Sequence, residues 1–580
     1  MSSSRSQRLG RIAACTALAV AAGTLLSAGP AMAAPQGSDK PVIKPSEAPV
    51  AKLDRPARPQ SLGSAPGAST YAFKAAKPRL DLDGDGWTDI LSRGHHGWSS
   101  ANLTSGDGSS SKYTVSGDAQ ETVRDIVAVG NIRGGWGTEF LQWSYDGKLS
   151  MHQAYGTASQ APTWTGYGWQ VYNKLIAAGD LTKDGRGDLL ARTPGGDLYL
   201  YRATGASTGE PFAGRVKVGS GWGIYDQIVG ANDVDADGIA DLLAKSPDGH
   251  LYYYKGTGST TAPFKARTWV GGGWNVYGKI VAADDQTGDG KADLYAVTPG
   301  GTLYFYASQG NGKFAGRQHS GSGWTNSDLV VNSGVTPVYG KHGVFAVDGT
   351  NTHYQHSNKT NGRFGDERFD QAPWPAGTAV VNAAGLDKIN WAHMLSWDPA
   401  TGTLTNLLKD VKVKGDFAHT NLVVGPGDLN GDGKGDLLSR DTWGNLWLRP
   451  GWGDGISFGT PVKIGAGWNT YKTIVGGGDI SGDGRPDIVA AAHDGHLYVY
   501  KGTGKASAPF GAREWYSHGW NGYSGIAVPG DLNGDGRADL IARDSSGTMW
   551  LYRAQGWGGA HTFAGREWLA QGWNTYTQFN

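Results

Sequence analysis

The chain has 580 residues, 52 basic against 52 acidic side chains and a single cysteine, so it lacks the positive surplus of a nucleic-acid or membrane-surface binder. Its 93 glycines, 23 tryptophans and 25 tyrosines argue against a helical bundle and for an all-β chain. After the N-terminal segment no stretch approaches the apolar length of a membrane span, so no membrane span is expected.

Residues 1–33 read as a secretory signal peptide. Arg5, Arg8 and Arg11 make a basic start, residues 12–29 are mostly apolar, and Ala31-Met32-Ala33 before Ala34 is an A-x-A cleavage signal. Ile12-Ala13-Ala14-Cys15 loosely resembles a lipobox, but the apolar run continues well past Cys15. The expected mature protein is secreted and extracellular, has no cysteine, and carries 49 basic against 52 acidic side chains. Its rigidity must therefore come from something other than disulfides. Residues 34–72 hold seven prolines among Ser, Gly, Lys and Asp, and read as a disordered, Pro-rich linker.

From residue 73 onward the chain repeats itself. Acidic loops start at Asp81, Asp180, Asp233, Asp285, Asp428, Asp479 and Asp531, at gaps near 50 residues or multiples of it. Degenerate copies fall near Asn131 and near residues 334 and 383, for about ten units. One unit runs from Trp468-Asn469-Thr470-Tyr471 through Ile474-Val475, the loop Asp479 to Asp487, and Ile488-Val489-Ala490. It continues through the turn His493-Asp494-Gly495, Leu497-Tyr498-Val499-Tyr500, Gly502-Thr503-Gly504 and Phe510-Gly511-Ala512-Arg513. Short β-branched and aromatic runs between Gly/Asp turns predict a four-stranded antiparallel meander, and ten of them predict a β-propeller fold.

The chain stops at Trp573-Asn574-Thr575-Tyr576-Thr577-Gln578-Phe579-Asn580, an opening strand without the rest of its unit. The first unit starts at Lys77-Pro78-Arg79-Leu80 with no such strand before it. The last strand is therefore expected to complete an earlier blade and remove an open edge. Matching damage in the second copy of each half predicts two five-bladed rings, at 73–330 and 331–580. The alternative is one seven- or eight-bladed ring with extra units.

In each intact loop, oxygen-bearing side chains fall at positions 1, 3, 5 and 9, with Gly at position 6. These are Asp81, Asp83, Asp85 and Asp89; Asp180, Thr182, Asp184 and Asp188; Asp233, Asp235, Asp237 and Asp241; Asp285, Thr287, Asp289 and Asp293. In the C-terminal half they are Asp428, Asn430, Asp432 and Asp436; Asp479, Ser481, Asp483 and Asp487; Asp531, Asn533, Asp535 and Asp539. Crowded hard oxygens without His or Cys suit Ca²⁺ rather than Zn²⁺. An EF-hand is not the reading, because Ser92 and Ala191 stand where its twelfth-position Glu belongs. At affinities typical of extracellular modules, millimolar calcium would stabilise each loop by about 0.4–1.4 kcal/mol. The loops thus read as structural pins, one per blade.

The loops, the aliphatic run after them and a Phe-Gly-Ala-like stretch resemble the FG-GAP (VCBS) repeats of integrin α-chain propellers and many secreted bacterial proteins. The last stretch reads Phe212-Ala213-Gly214-Arg215, Phe264-Lys265-Ala266-Arg267, Phe314-Ala315-Gly316-Arg317, Phe510-Gly511-Ala512-Arg513 and Phe563-Ala564-Gly565-Arg566. The resemblance implies calcium and a propeller, not one function. The unit of about 50 residues and a recurring Gly-Trp-x-x-Tyr look more like five-bladed, tachylectin-type sugar-binding propellers.

That element supplies the candidate ligand-binding residues Trp169, Tyr172, Trp222, Tyr225, Trp274, Tyr277, Trp468, Tyr471, Trp520, Tyr523, Trp573 and Tyr576. An aromatic face is a usual platform for a sugar ring, while a Trp at one place in every blade also suits inter-blade packing. Both readings stand on sequence alone. Gly205-Ala206-Ser207-Thr208-Gly209 fits a nucleophile-elbow pattern, yet its equivalents are plain turns such as Gly256-Thr257-Gly258. No zinc-protease, phosphate-loop or dinucleotide motif is present, and His95, His96 and His493 read as solvated. The expected function is a secreted, calcium-stabilised, non-catalytic protein that recognises glycans or another extracellular surface. The alternatives are an extracellular hydrolase with an active site in a propeller cleft, and a protein-docking scaffold.

Overall fold

The computed structural model describes residues 51–54 and 78–580, except 95–98, 105–108, 117–122, 135–136, 145–146, 325–326, 336–340, 342, 359–361, 363, 365–366, 370–376, 388–391, 408, 534 and 557–558. The signal segment of residues 1–33, the rest of the Pro-rich stretch and His95 and His96 lie outside the described residues.

One unit shows how the sequence builds the sheet. Lys174–Gly179, Asp188–Arg192, Leu198–Tyr201 and Val216–Gly219 pair antiparallel in chain order. The first two strands are buried throughout, the third alternates, and the fourth is half-exposed. Strands covered on both faces read as unbroken apolar runs, and alternation returns where one face meets water. The same plan recurs at 227–271, 279–322, 420–465, 471–517 and 523–570. The architecture is an all-β propeller built from repeats.

Before six of the seven loops the first strand carries a bulge, as at Ala177/Gly179, Gly230/Asn232 and Ala282/Asp284. The residue there is left-handed, with φ of 94° at Gly179, 61° at Asn232 and 52° at Asp284. A Cβ on Gly179 would lie 2.7 Å from Asn232 Oδ1, so this position also sets the approach of the neighbouring sheet.

The strand pairings close on themselves twice. Ser327–Val330 pairs with Ile90–Gly94, which leads out to Ser99–Asn102 and Ser110–Tyr113. Tyr576–Phe579 pairs with Gly343–Asp348, ahead of His353–Ser357 and Glu367–Phe369. The last strand thus completes a sheet begun more than 200 residues earlier. Inside the first set, Arg79 binds Asp284 through Nη2 at 2.6 Å and donates to the carbonyls of Ala177 and Gly230, joining the inner strands of three sheets.

The Pro-rich segment is not wholly free of the fold, which corrects the expectation of a disordered linker over 34–72. Lys52–Leu53 adds a fifth strand to the outer edge of the 279–322 sheet, with Lys52 opposite Ser322 and Leu53 opposite Gly321. Leu53 is buried with Ile90, Trp324 and Val330, and Trp324 Nε1 donates to the Lys52 carbonyl at 3.1 Å. One apolar side chain and an open sheet edge offset the ordering of so short a segment.

Lys341 is buried in the second set, with its stem against Gly477 and its Nζ 3.4 Å from Asn580 Oδ1. Burial alone pulls its ammonium down from 10.5 to about 7. Between pH 7 and 10.5 the unfolded chain therefore binds the extra proton, and stability rises with pH by up to about 1.4 kcal/mol per unit. Lys341→Met is expected to remove that rise and to stabilise the protein most below pH 7. Denaturant unfolding of both proteins across this window checks it; parallel curves would refute it.

Candidate functional site

Each acidic loop is first a hydrogen-bonding device. The position-1 carboxylate turns back on its own loop: Asp479 accepts from the amides of Gly482, Asp483 and Gly484 at 2.6, 3.0 and 2.5 Å. Asp81, Asp180, Asp233, Asp285, Asp428 and Asp531 do the same with their own loop amides. The position-5 carboxylate accepts from the amide two residues on, as Asp85 does from Trp87 and Asp184 from Arg186. Position 9 is the deepest. Asp487 Oδ2 accepts from Ile480 and Ser481, and its Oδ1 accepts from Gly502, fifteen residues on at the end of the third strand. Asp89, Asp188, Asp241, Asp293, Asp436 and Asp539 repeat the fifteen-residue link to Thr104, Ala203, Gly256, Ser308, Gly451 and Ala554.

The degenerate copies show what this pinning needs. At 131–139 Asn131 accepts from Gly134, and Glu139 Oε2 accepts from Ile132 and Arg133. At 385–393 His393 stands at position 9, with Nε2 3.1 Å from Asp387 Oδ1, and Lys409 Nζ lies 2.9 Å from Asp387 Oδ2. At 131–139 the fold keeps the pin where the donor set for a hard cation is gone.

Burial carries an electrostatic cost. Desolvation pushes the carboxyls of Asp89, Asp188, Asp241 and Asp293 up to about 7, and adjacent loop carboxylates add to it. Asp436, Asp487 and Asp539 are likewise raised well above the usual carboxylate range, for the same reasons. In two loops three carboxylates come together: Asp81, Asp83 and Asp89, and Asp233, Asp235 and Asp241, each set with oxygens within 4.8 Å of one another. In the others Thr182, Thr287, Asn430, Ser481 and Asn533 supply neutral oxygens at position 3. This hard-oxygen donor set, crowded and desolvated, fits a divalent cation. Basic residues at position 7 take up part of the charge, with Lys291 2.9 Å from Asp289 and Arg537 3.0 Å from Asp535. Arg537 also reaches Asp226 of the first set at 2.7 Å, beside a cavity of ≈ 430 Å³ lined by Arg124, Arg192, Asp428 and Asp479.

The FG-GAP-like repeat family matches residues 180–244, 233–296, 428–490 and 479–542, each span opening on the first aspartate of a loop and running through the next. These are FG-GAP-like repeats. No curated protein matches the chain. Among solved structures one match is the crystal structure of BBS1N in complex with ARL6DN, soaked with mercury, at 13% identity over 58% of this chain and 79% of that one. Its TM-score is 0.21.

Within the FG-GAP-like units the Gly-Trp-x-x-Tyr element packs between sheets. Trp169, Trp222, Trp274, Trp468, Trp520 and Trp573 are all buried, at 8% exposure or less, as are Tyr172, Tyr225, Tyr277, Tyr471 and Tyr576. Tyr523 is half-buried. Each Trp is the first residue of a single 3-10 turn whose preceding glycine is left-handed, which turns the indole inward. Trp222 lies 4.7 Å from Tyr254 and 6.1 Å from Phe264, centroid to centroid, among residues of two adjacent sheets. For the twelve candidate ligand-binding residues, this burial supports inter-sheet packing, the other reading the sequence allowed, over ligand contact.

The recurrent arginine finds its partner here. Tyr172 and Tyr201 share a hydroxyl–hydroxyl bond of 2.6 Å, and Arg215 Nη1 donates to Tyr172 Oη at 2.6 Å. The same relay joins Tyr225, Tyr254 and Arg267; Tyr277, Tyr306 and Arg317; Tyr471, Tyr500 and Arg513; and Tyr523, Tyr552 and Arg566. Ser207, in the Gly-x-Ser-x-Gly stretch, lies in an exposed turn with no helix after it.

The exposed aromatics stand elsewhere, and sequence reasoning missed them. Trp269, Trp515 and Trp568 are 65%, 45% and 59% exposed on outer strands. They face Tyr252, Tyr498 and Trp550 across the strand pair. Over those inner rings lie the guanidinium groups of Arg267, Arg513 and Arg566, at 4.3, 4.6 and 4.2 Å from the ring centroids. The signal was available: each Trp follows its Phe-x-x-Arg arginine by two residues, on the same face of a strand.

Proposed function

We propose that the chain is a secreted, calcium-loaded, non-catalytic binding protein made of two five-bladed wheels that recognises glycans on its outer strands. The family supports the coarser part, since FG-GAP-like repeats suggest a propeller-type binding or adhesion module. The two closures support the wheels: among the described residues five antiparallel meanders lie between Ile90 and Val330 and five between Gly343 and Phe579, two of the latter joined into one eight-stranded sheet by a parallel bridge between Ala383 and Gly425. The observation that carries the glycan reading is the threefold recurrence of an exposed Trp beside an Arg-stacked ring. Such a platform stacks on the apolar face of a sugar while the arginine serves its hydroxyls or acid groups, and several copies multiply affinity. The test is binding to a glycan array by the triple variant Trp269→Ala, Trp515→Ala, Trp568→Ala. An avidity loss of about 10²-fold or more is expected with the melting temperature unchanged, because the side chains are exposed. Undiminished binding would place the ligand elsewhere.

For calcium, the loop side chains at positions 1, 3, 5 and 9 would hold the ion, whose double charge would offset the carboxylate crowding at the buried position 9. At position 9 the Oδ1 atoms of Asp188, Asp293, Asp436 and Asp487 each accept from one amide and keep a lone pair for a metal. Chelation is expected to lower the melting temperature by on the order of 10 °C, and millimolar calcium to restore it. A melting temperature indifferent to both would leave the loops as hydrogen-bonded pins only.

A further inference from the structure

The seven loops are not equivalent, and the difference lies outside the loops. Loop 233–241 belongs with 81–89 as the two that carry a fourth carboxylate, Asp235 and Asp83, where the others have Thr, Ser or Asn. Its own third strand runs Leu251-Tyr252-Tyr253-Tyr254-Lys255, and that strand sends two donors into the loop. Lys255 Nζ pairs with Asp235 Oδ2 and lies 2.8 Å from Asp237 Oδ2. Tyr253 Oη donates to Asp241 Oδ2 at 2.9 Å and to Asp235 Oδ2 at 3.2 Å. The side chain of Asp235 is only 4% exposed, so the ammonium meets it largely out of water.

At the equivalent places on the third strand the other units do not repeat this pair. At the place of Tyr253 stand Leu200, Phe305, Leu448, Val499 and Leu551, none with a hydroxyl. At the place of Lys255 stand Arg202, Ala307, Pro450, Lys501 and Arg553, and Leu103 after the first loop. Lys501 and Arg553 are drawn the other way, to Glu514 at 3.2 Å and Glu567 at 2.6 Å on the outer strand. The residue in that outer-strand position beside Lys255 is Thr268, which offers no charge. With nothing to hold it outward, the Lys255 ammonium turns onto the loop.

We propose that Lys255 is the resident cation of loop 233–241, so that this loop is pinned without calcium while the other loops take the ion. The inference rests on the calcium reading of the loops. Lys255 supplies one positive charge to Asp235 and Asp237, the Tyr253 hydroxyl proton lies between Asp241 Oδ2 and Asp235 Oδ2, and a metal ion would have to displace both. The chain thereby keeps one pin of the first wheel in place when calcium is scarce.

The experiment counts calcium ions bound per full-length chain by equilibrium titration at about 1 mM calcium. Two variants are compared with the wild type. Lys255→Met removes the ammonium, and Thr268→Glu, an exposed substitution that leaves the core alone, gives Lys255 the outward partner that Lys501 has. Each is expected to bind one ion more than the wild type, with the new site at least about tenfold tighter than any residual binding there. Unchanged stoichiometry in both variants, in a protein that binds calcium, overturns the role of Lys255 alone. No calcium bound by any of the three proteins overturns the calcium reading of every loop, and this inference with it. If Lys255→Met does not fold, Thr268→Glu decides by itself.

Discussion

Trp222→Ala is expected to destabilise the protein by about 3–5 kcal/mol, the range for deleting a large ring from a packed interior. The indole belongs to a cluster fed by two sheets: Leu190, Leu198 and Leu200 from one, and Ile228, Leu242 and Ala244 from the next. Gly219 lies against it so closely that a Cβ there would sit 2.5 Å from its Nε1, so backbone fixed by the sheet cannot close the cavity. Arg192 Nη1, which donates to the carbonyls of Trp222 and Tyr225, keeps both partners in the variant, so the loss is one of packing. Urea unfolding measures it, with Trp269→Ala as the control expected within about 0.5 kcal/mol of wild type. Stable Trp222→Ala protein with lost glycan binding would reverse the assignment of the two kinds of tryptophan.

Asp487→Asn is expected to cost about 3 kcal/mol or more, and to cost it in chelator as well as in calcium. The carboxylate accepts from three amides, those of Ile480 at 3.0 Å, Ser481 at 2.7 Å and Gly502 at 2.9 Å. An asparagine amide turns one accepting oxygen into a donor, so at least one buried amide faces another N–H with no lone pair. Asp483→Asn at position 5 is the comparison. Its carboxylate accepts from Arg485 N near the loop surface, so the substitution should act chiefly through calcium and lose its effect when the ion is removed. Unfolding free energies of both variants, with and without chelator, separate pin from ligand. Equal behaviour would mean that the two positions share one role.

Much of the fold was legible because its cause is local and repeated. The loop spacing, the apolar inner strands and the Gly and Asp turns each act over fewer than ten residues. The orphan strand at Trp573 to Asn580 was readable as a closing strand because an opening element without its unit has one economical partner, and Tyr576–Phe579 does pair with Gly343–Asp348. Leu53 was not readable: one leucine in a Pro-rich segment has no periodicity, and only the edge exposed by Gln318–Ser322 gives it a place.

What the amino-acid order determined by itself is the unit: four antiparallel strands, an oxygen-lined loop after the first, and a recurring aromatic and arginine at fixed spacing. What only the tertiary arrangement decided is which way those recurring groups face. Trp222 and Trp269 are both tryptophans in one unit, and the adjacent sheet buries the first while leaving the second in water. Lys255 and Lys501 occupy one register, and the residue opposite, Thr268 or Glu514, decides whether the charge turns to the loop or away from it. Solvation and pairing are properties of a neighbourhood assembled from distant residues, and a repeat pattern carries no record of them.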